Sequence, residues 1–318
     1  MRSRAMRGFP LMLVLCATPS LAQPPVALEL EAMRTFRVPA GFDVSGAILL
    51  PDSGLVGWGA AGIFVVDETG APRLLDTELA FEPRGLRILK GPGPAFEVIG
   101  VRGEHAGVGK NAADPDRMEL LAGFITLQAI SVPDGWFVLV EPDGETAPSQ
   151  QVCFFPDSQG PREEVGIPVV RPSPPWEHPV HLSPAGRDVL ATEIAAPFRT
   201  WRLRTLPEHQ PQEIAAEILH RDDLVVKEMA ALGFPTERTA ALPALRLDRG
   251  YLLQFSELSE DRRLVILIDD EGQVIRSSTI DVALGFMVSE PDTRLLLALR
   301  DIGMREFVLY RWTWGGRR

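Results

Sequence analysis

The chain has 318 residues, 45 % of them hydrophobic and 24 % charged, a composition that can pack a core and excludes a wholly disordered protein. Its formal net charge of −11 argues against a surface built to neutralise nucleic-acid phosphates or to lie on anionic lipid. With 28 Gly and 28 Pro spread along it, the backbone is expected to turn often between short elements.

At the N-terminus, Arg2, Arg4 and Arg7 precede an apolar stretch from Phe9 to Ala17, followed by Ser20-Leu21-Ala22. A basic segment, a short apolar one and small residues before the cut predict a signal peptide over 1–22, cleaved after Ala22. The stretch is too short to span a bilayer and is interrupted by Pro10 and Pro19. Cys16 raises a lipoprotein alternative, but Leu15 stands where a lipobox has a small residue. The expected product, residues 23–318, is a single exported domain with Cys153 as its one cysteine. No disulfide can then form within it, and the apolar flanks of Cys153 predict a buried, unreactive thiol.

From residue 46 onward, apolar runs end repeatedly at turns: Pro51-Asp52-Ser53-Gly54, Pro92-Gly93-Pro94, Pro133-Asp134-Gly135, Pro184-Ala185-Gly186, Asp248-Arg249-Gly250 and Pro291-Asp292-Thr293. Pro presets φ early in a turn and Gly supplies positive φ later. Measured from Pro51, Pro92, Pro133, Pro184, Arg249 and Pro291, the intervals are 41, 41, 51, 65 and 42 residues. Three of them match a propeller blade of roughly 40–45 residues. The 51-residue interval contains the Pro-rich stretch Pro161 to Pro179. The 65-residue interval contains Pro211 to Gly233. There Ile214, Ile218, Leu224, Val225, Glu228, Met229 and Leu232 predict a short helical insertion near 212–233, ended by Gly233.

A second turn signature, an apolar pair followed by an acid, two residues and Gly, recurs at Asp67 to Gly70, Glu141 to Gly144 and Asp269 to Gly272. Each unit therefore reads as four antiparallel strands joined by short hairpins. The last unit shows three strands, 284–288, 294–300 and 306–312, and Leu28 to Val38 is the candidate fourth. Pairing first strand with last would protect the open edges. The predicted fold is all-β: a six-bladed β-propeller of four-stranded antiparallel blades, closed by an N-terminal strand. An open sandwich of similar strands is the competing arrangement.

The segments Pro243-Ala244-Leu245-Arg246-Leu247-Asp248, Ile268-Asp269-Asp270-Glu271-Gly272 and Phe307-Val308-Leu309-Tyr310-Arg311-Trp312 resemble six-bladed propellers of the NHL and TolB-like type, especially exported bacterial members. Tyr251-Leu252-Leu253 departs from that pattern, in which Gly, an apolar residue and Trp are common. The resemblance implies a fold and carries no catalytic residue with it.

Gly57-Trp58-Gly59-Ala60-Ala61-Gly62 matches a dinucleotide fingerprint in letters, but Ile63-Phe64-Val65-Val66 after it reads as a strand, so a hairpin is expected and no cofactor. Gly107-Val108-Gly109-Lys110 is a fragment of a P-loop with no Ser or Thr after the Lys. Asp114-Pro115-Asp116 lacks the spacing of a calcium loop. His105, His209 and His220 are isolated among polar residues and read as surface groups. His178 and His181, beside Glu177, lack a third ligand at metal-binding spacing, so no metal site is assigned. With Trp176 they form the candidate binding residues: Trp176, Glu177, His178 and His181. The other tryptophans are expected between blades.

The expected function is a monomeric, non-enzymatic binding module of the bacterial envelope, contacting a protein, peptide or glycan, with no membrane span and no nucleic acid. The alternative, implied by resemblance to gluconolactonase-type propellers, is a divalent-metal-dependent hydrolase or lactonase. Asn111 is the chain's one asparagine, which weakens a site built on amide oxygens.

Overall fold

A computed structural model describes residues 27–315 apart from 51–53, 68, 77–81, 90–94, 103–104, 111–118, 122–123, 143–149, 157–162, 166–179, 207–212, 258–261, 281–283, 291–293 and 303. Strands β1 (Ala27–Arg37), β2 (Gly46–Leu49), β3 (Leu55–Gly59), β4 (Gly62–Val66) and β5 (Pro72–Asp76) come first. Strands β2 to β5 form an antiparallel sheet in chain order. The same meander recurs in β6 (Glu82–Leu89), β7 (Ala95–Arg102), β8 (His105–Lys110) and β9 (Glu119–Leu121). The next is β10 (Phe124–Val132), β11 (Gly135–Pro142), β12 (Gln151–Pro156) and β13 (Glu163–Val165). Then follow β14 (Val180–Ala185), β15 (Asp188–Glu193), β16 (Thr200–Leu206) and β17 (Glu213–Ile218). After helix α1 (Asp222–Ala231) come β18 (Thr239–Leu247), β19 (Gly250–Glu257), β20 (Arg263–Ile268) and β21 (Val274–Ile280).

The turn spacing predicts six four-stranded blades, the last completed by the N-terminal strand. Among the described residues five blades, not six, are built from four consecutive strands each. The remaining sheet differs: β22 (Leu284–Glu290), β23 (Leu295–Ile302) and β24 (Met304–Gly315) are joined by β1, which runs antiparallel to β24 from Ala27↔Gly315 to Arg37↔Glu306. A bulge near Met33 interrupts that register.

Because every strand alternates its side chains across the sheet, each sheet has two apolar faces to bury. Separate core clusters fill the junctions. Val56, Trp58 and Ile63 meet Leu86 and Val98. Ile99 meets Trp136 and Val138. Phe137 and Phe154 meet Leu182 and Trp201, and Leu190 and Phe198 meet Phe255 and Ile266. Leu245 and Leu252 meet Leu296 and Trp312. Leu297 and Phe307 meet Leu49 and Phe64. The first strands also touch in succession: β6 with β10, β10 with β14, β14 with β18, β18 with β22 and β22 with β2. Among the described residues this is a β-propeller of four-stranded antiparallel blades with one short α-helix. A two-layer sandwich would instead leave one face of each sheet to solvent or to a single partner.

Side-chain hydrogen bonds reinforce the junctions. Gln128 donates to the Leu182 carbonyl at 2.7 Å and accepts from its N–H at 2.8 Å, joining two innermost strands. Ser183 donates to the Ala244 carbonyl across the next junction. Arg87 reaches the carbonyls of Val132 and Gly135 and lies 4.6 Å from the Trp136 ring centroid.

The expected helix near 212–233 is shorter than its periodicity suggests. Ile214 and Ile218 belong to β17, which pairs with β16, and the Leu219 N–H still bonds the Thr200 carbonyl at 2.9 Å. Only after His220 does the chain coil, burying Val225 and Met229 and stopping at Gly233 with φ +71°.

Candidate functional site

Strands that alternate in direction send their connections to two opposite ends of the blades. At one end lie first-to-second turns such as 133–134, 186–187 and 248–249. At the other lie the second-to-third connections and the links between sheets. Among the described residues, this end receives the longer segments 38–45, 194–199 and 219–238. These connections form the rim that is the candidate site; of the two insertions expected from the sequence, the helical one belongs to it, and the Pro-rich one lies outside the described residues over 166–179.

Trp176, Glu177 and His178 lie outside the described residues, in the stretch between Val165 and Val180. His181 is placed on β14 rather than in a loop: it is half-buried, paired across the ladder with Thr192, which in turn faces the buried Thr200. The strand exists because Val180 and Leu182 on either side of His181 are both buried in the neighbouring junction.

Two features of the rim emerge only in three dimensions. The first is a cleft of about 610 Å³ under the 38–45 connection, lined by Arg37, Pro39, Gly41, Phe42, Asp43 and Arg305 among others. Arg305 Nη1 donates to Asp43 Oδ1 at 2.7 Å and to the Phe42 carbonyl at 3.5 Å, tying the connection to β24. Phe42 is buried edge-on to Phe64, with centroids 4.8 Å apart. Gly59 sits so close to the Asp43 carbonyl that a Cβ there would approach it to 1.7 Å.

The second is a polar knot between the fourth and fifth sheets. Glu193, 4 % exposed, accepts from Arg199 Nε at 3.1 Å, from Nη2 at 2.9 Å and from the Arg199 backbone N–H at 3.0 Å. The bidentate geometry holds the guanidinium's proton more tightly than usual, raising its pKa. Arg199 also lies 5.2 Å from the Trp201 ring centroid. Its position is set by Phe198, which adopts φ +62° and buries its ring against Phe255 at 5.5 Å. A left-handed backbone costs a non-glycine residue about 1–2 kcal/mol, offset here by that burial.

His220 completes the knot, and here the sequence reading is corrected. Read as a surface residue, it is 4 % exposed. Its polar neighbours in sequence gave no sign of this; the turn 269–273 of the next sheet covers it. Its Nδ1 donates to the Arg221 carbonyl at 3.1 Å, while Nε2 has no partner among the described residues. Burial pushes its pKa below the ordinary value, against smaller opposing effects of the Arg221 carbonyl, Asp222 and Glu193.

Other readings are met more directly. Gly57 and Gly59 belong to β3 and Gly62, at φ +118°, opens β4, so the fingerprint is a hairpin. Gly107 to Lys110 lie on β8. Cys153 is fully buried. Trp58, Trp136, Trp201 and Trp312 are packed at junctions. Asp114 to Asp116 lie outside the described residues. Among the described residues, no three His, Cys, Asp or Glu side chains gather as a metal-binding group, and no helix is long and apolar enough to cross a membrane.

No protein-family model matches the chain, and no curated protein matches it in sequence. In fold it is similar to the β-propeller domain of Cps50 (Swd1) from Myceliophteria thermophila, with a TM-score of 0.52 and 10 % identity over 90 % of this chain and 100 % of that one. It is also similar to regucalcin, a calcium-binding protein of Agrobacterium tumefaciens strain C58, with a TM-score of 0.51 and 12 % identity over 86 % and 91 % of the two chains. The class is therefore a β-propeller protein; at these identities the likeness concerns fold alone.

Proposed function

We propose that this propeller is an exported binding module of the bacterial envelope, acting as a monomer and holding a protein, peptide or glycan on the rim that carries its long connections. The observation behind this reading is the end of the blades that carries the 38–45, 194–199 and 219–238 connections together with the cleft, opposite the short hairpins at 133–134, 186–187 and 248–249. Binding residues concentrate on loops that a rigid scaffold positions. Trp176, Glu177, His178 and His181 are its proposed contacts. Export rests on the character of residues 1–22. In the same reading the composite sheet acts as a sixth blade, closing the ring through β1, in the manner of NHL and TolB-like propellers. A divalent-metal hydrolase remains the second class of activity, without a donor group among the described residues to support it.

The test uses residues 23–318 as immobilised bait in envelope extract. A partner retained by this protein is expected to be lost when Trp176, Glu177 and His178 are replaced by Ala, and kept when Asp134 and Arg187 at the opposite end are replaced. Retention unaffected by the first set and abolished by the second would place binding at the wrong end and overturn the proposal. N-terminal sequencing of protein recovered from the envelope is expected to begin at Gln23.

A further inference from the structure

We propose that His220 is a proton-operated latch at the seam between the fourth and fifth sheets, closed when the imidazole is neutral and released on acidification. The inference is independent of what the rim binds.

The neutral ring fits its surroundings in one way. Nδ1–H donates to the Arg221 carbonyl, so Nε2 carries the lone pair and can remain dry at modest cost. Protonation would place a charge and a new N–H at Nε2, which has no acceptor among the described residues. A buried donor without an acceptor is expensive, and a buried charge more so. The surrounding backbone leaves little room to adapt. At Gly272, an ideal Cβ would lie 2.1 Å from the Leu219 carbonyl oxygen and 3.2 Å from the His220 Cα, so the 269–273 turn is pressed directly on the 219–220 segment. On the other side, Leu219 is bonded to Thr200.

Most charged groups around the seam are already engaged. From the 194–199 connection, Glu193 is held by three donors of Arg199. On the imidazole's own connection, Asp223 pairs with Lys227 and Arg221 lies 3.5 Å from Asp223. Asp222 begins the helix and favours the protonated ring. From the covering turn, Asp269 accepts from the backbone N–H groups of Glu271 and Gln273, Asp270 pairs with Arg246, and Glu271 is exposed. On the helix, Glu228 accepts from Ser277. The remaining route for an imidazolium is outward, which frees the start of α1 from the 269–273 turn.

The sign follows from linkage. A histidine whose folded pKa lies below its ordinary value of 6.5 binds fewer protons when closed than when open, so the closed seam loses stability as pH falls below about 6.5. If the open state titrates normally, the opening equilibrium grows up to about tenfold between pH 7.5 and 5.5.

Hydrogen exchange of the full mature chain, read by mass spectrometry and corrected for intrinsic rates, tests this directly. Peptides covering 219–233 and 269–273 are expected to lose protection up to about tenfold over that pH range, while the 55–66 hairpin is unchanged. His220→Gln and His220→Phe are expected to remove the pH dependence of the seam. Equal loss in both variants, no loss in the wild-type protein, or loss spread evenly through the molecule would overturn the latch. If neither variant folds, an NMR titration of the wild-type imidazole decides: an apparent pKa at or above 6.5 overturns it, and a lower value accompanied by amide shifts over 219–233 supports it.

Discussion

Single residues in this protein are constrained mainly by how closely neighbouring backbone approaches them. Gly59 and Gly41 make the contrast. A Cβ at Gly59 would overlap the Asp43 carbonyl, which is backbone and cannot swing aside, whereas Gly41, at φ +73°, faces open space. Gly59→Ala is therefore expected to cost about 3 kcal/mol in denaturant unfolding, through overpacking. Gly41→Ala should cost about 1 kcal/mol, from backbone conformation alone. Similar losses at both positions would mean that the connection over the cleft yields easily. Cys153 offers a second measurement. It is fully buried, so a thiol reagent such as DTNB is expected to label it only after unfolding. Rapid labelling of the native protein would indicate a more open junction between β11, β12 and the second sheet.

Elements are held by local turn chemistry and then locked by contacts distant in sequence. The recurring acid-x-x-Gly turns show the first. Asp67 Oδ1 accepts from the Thr69 N–H at 2.8 Å before Gly70 takes φ +81°, and Asp269 Oδ1 accepts from the N–H groups of Glu271 and Gln273 before Gly272 takes φ +75°. Such turns are legible in sequence because acid and glycine act within four residues. Gln128 shows the second. It joins β10 to β14 across 54 residues. Gln128→Ala would leave the Leu182 N–H and carbonyl without their partner, and is expected to lower stability by about 2–3 kcal/mol. A loss below 0.5 kcal/mol would mean that water replaces the amide freely. The helix falls between these cases. Its apolar periodicity and Gly233 stop were readable, but Ile214 and Ile218 fit a strand equally well, and the available edge of β16 decided in favour of β17.

At the scale of the whole molecule, both ends of the chain meet in one sheet, so local damage there has distant consequences. Deleting 27–37 would expose the edge of β24 along ten paired positions, from Glu306 to Gly315. The shortened protein is expected to elute as aggregates on size exclusion and to lose a single cooperative unfolding transition. Phe36→Ala, which keeps the strand but empties a fully buried ring from the junction with the first sheet, should cost about 3–5 kcal/mol while leaving a monomer. A monomeric, cooperatively folded deletion product would show that β1 is dispensable.

The sequence by itself determined the class of fold and the strand-turn meander. These depend on alternation, turn residues and spacing, all of which act over a few residues or repeat along the chain. It also named the helical insertion, though not where strand β17 gives way to helix α1. Only the tertiary structure decided which side chains meet. His220 looks solvent-facing among Arg221, Asp222 and Asp223, yet a turn some fifty residues away buries it. Arg199 and Glu193 are unremarkable in sequence until a left-handed Phe198 aims one at the other. Local patterns specify which face of a strand is apolar, but the neighbour packed upon that face is chosen by how successive blades stack, where burial and backbone approach are properties of pairs of blades rather than of any one segment.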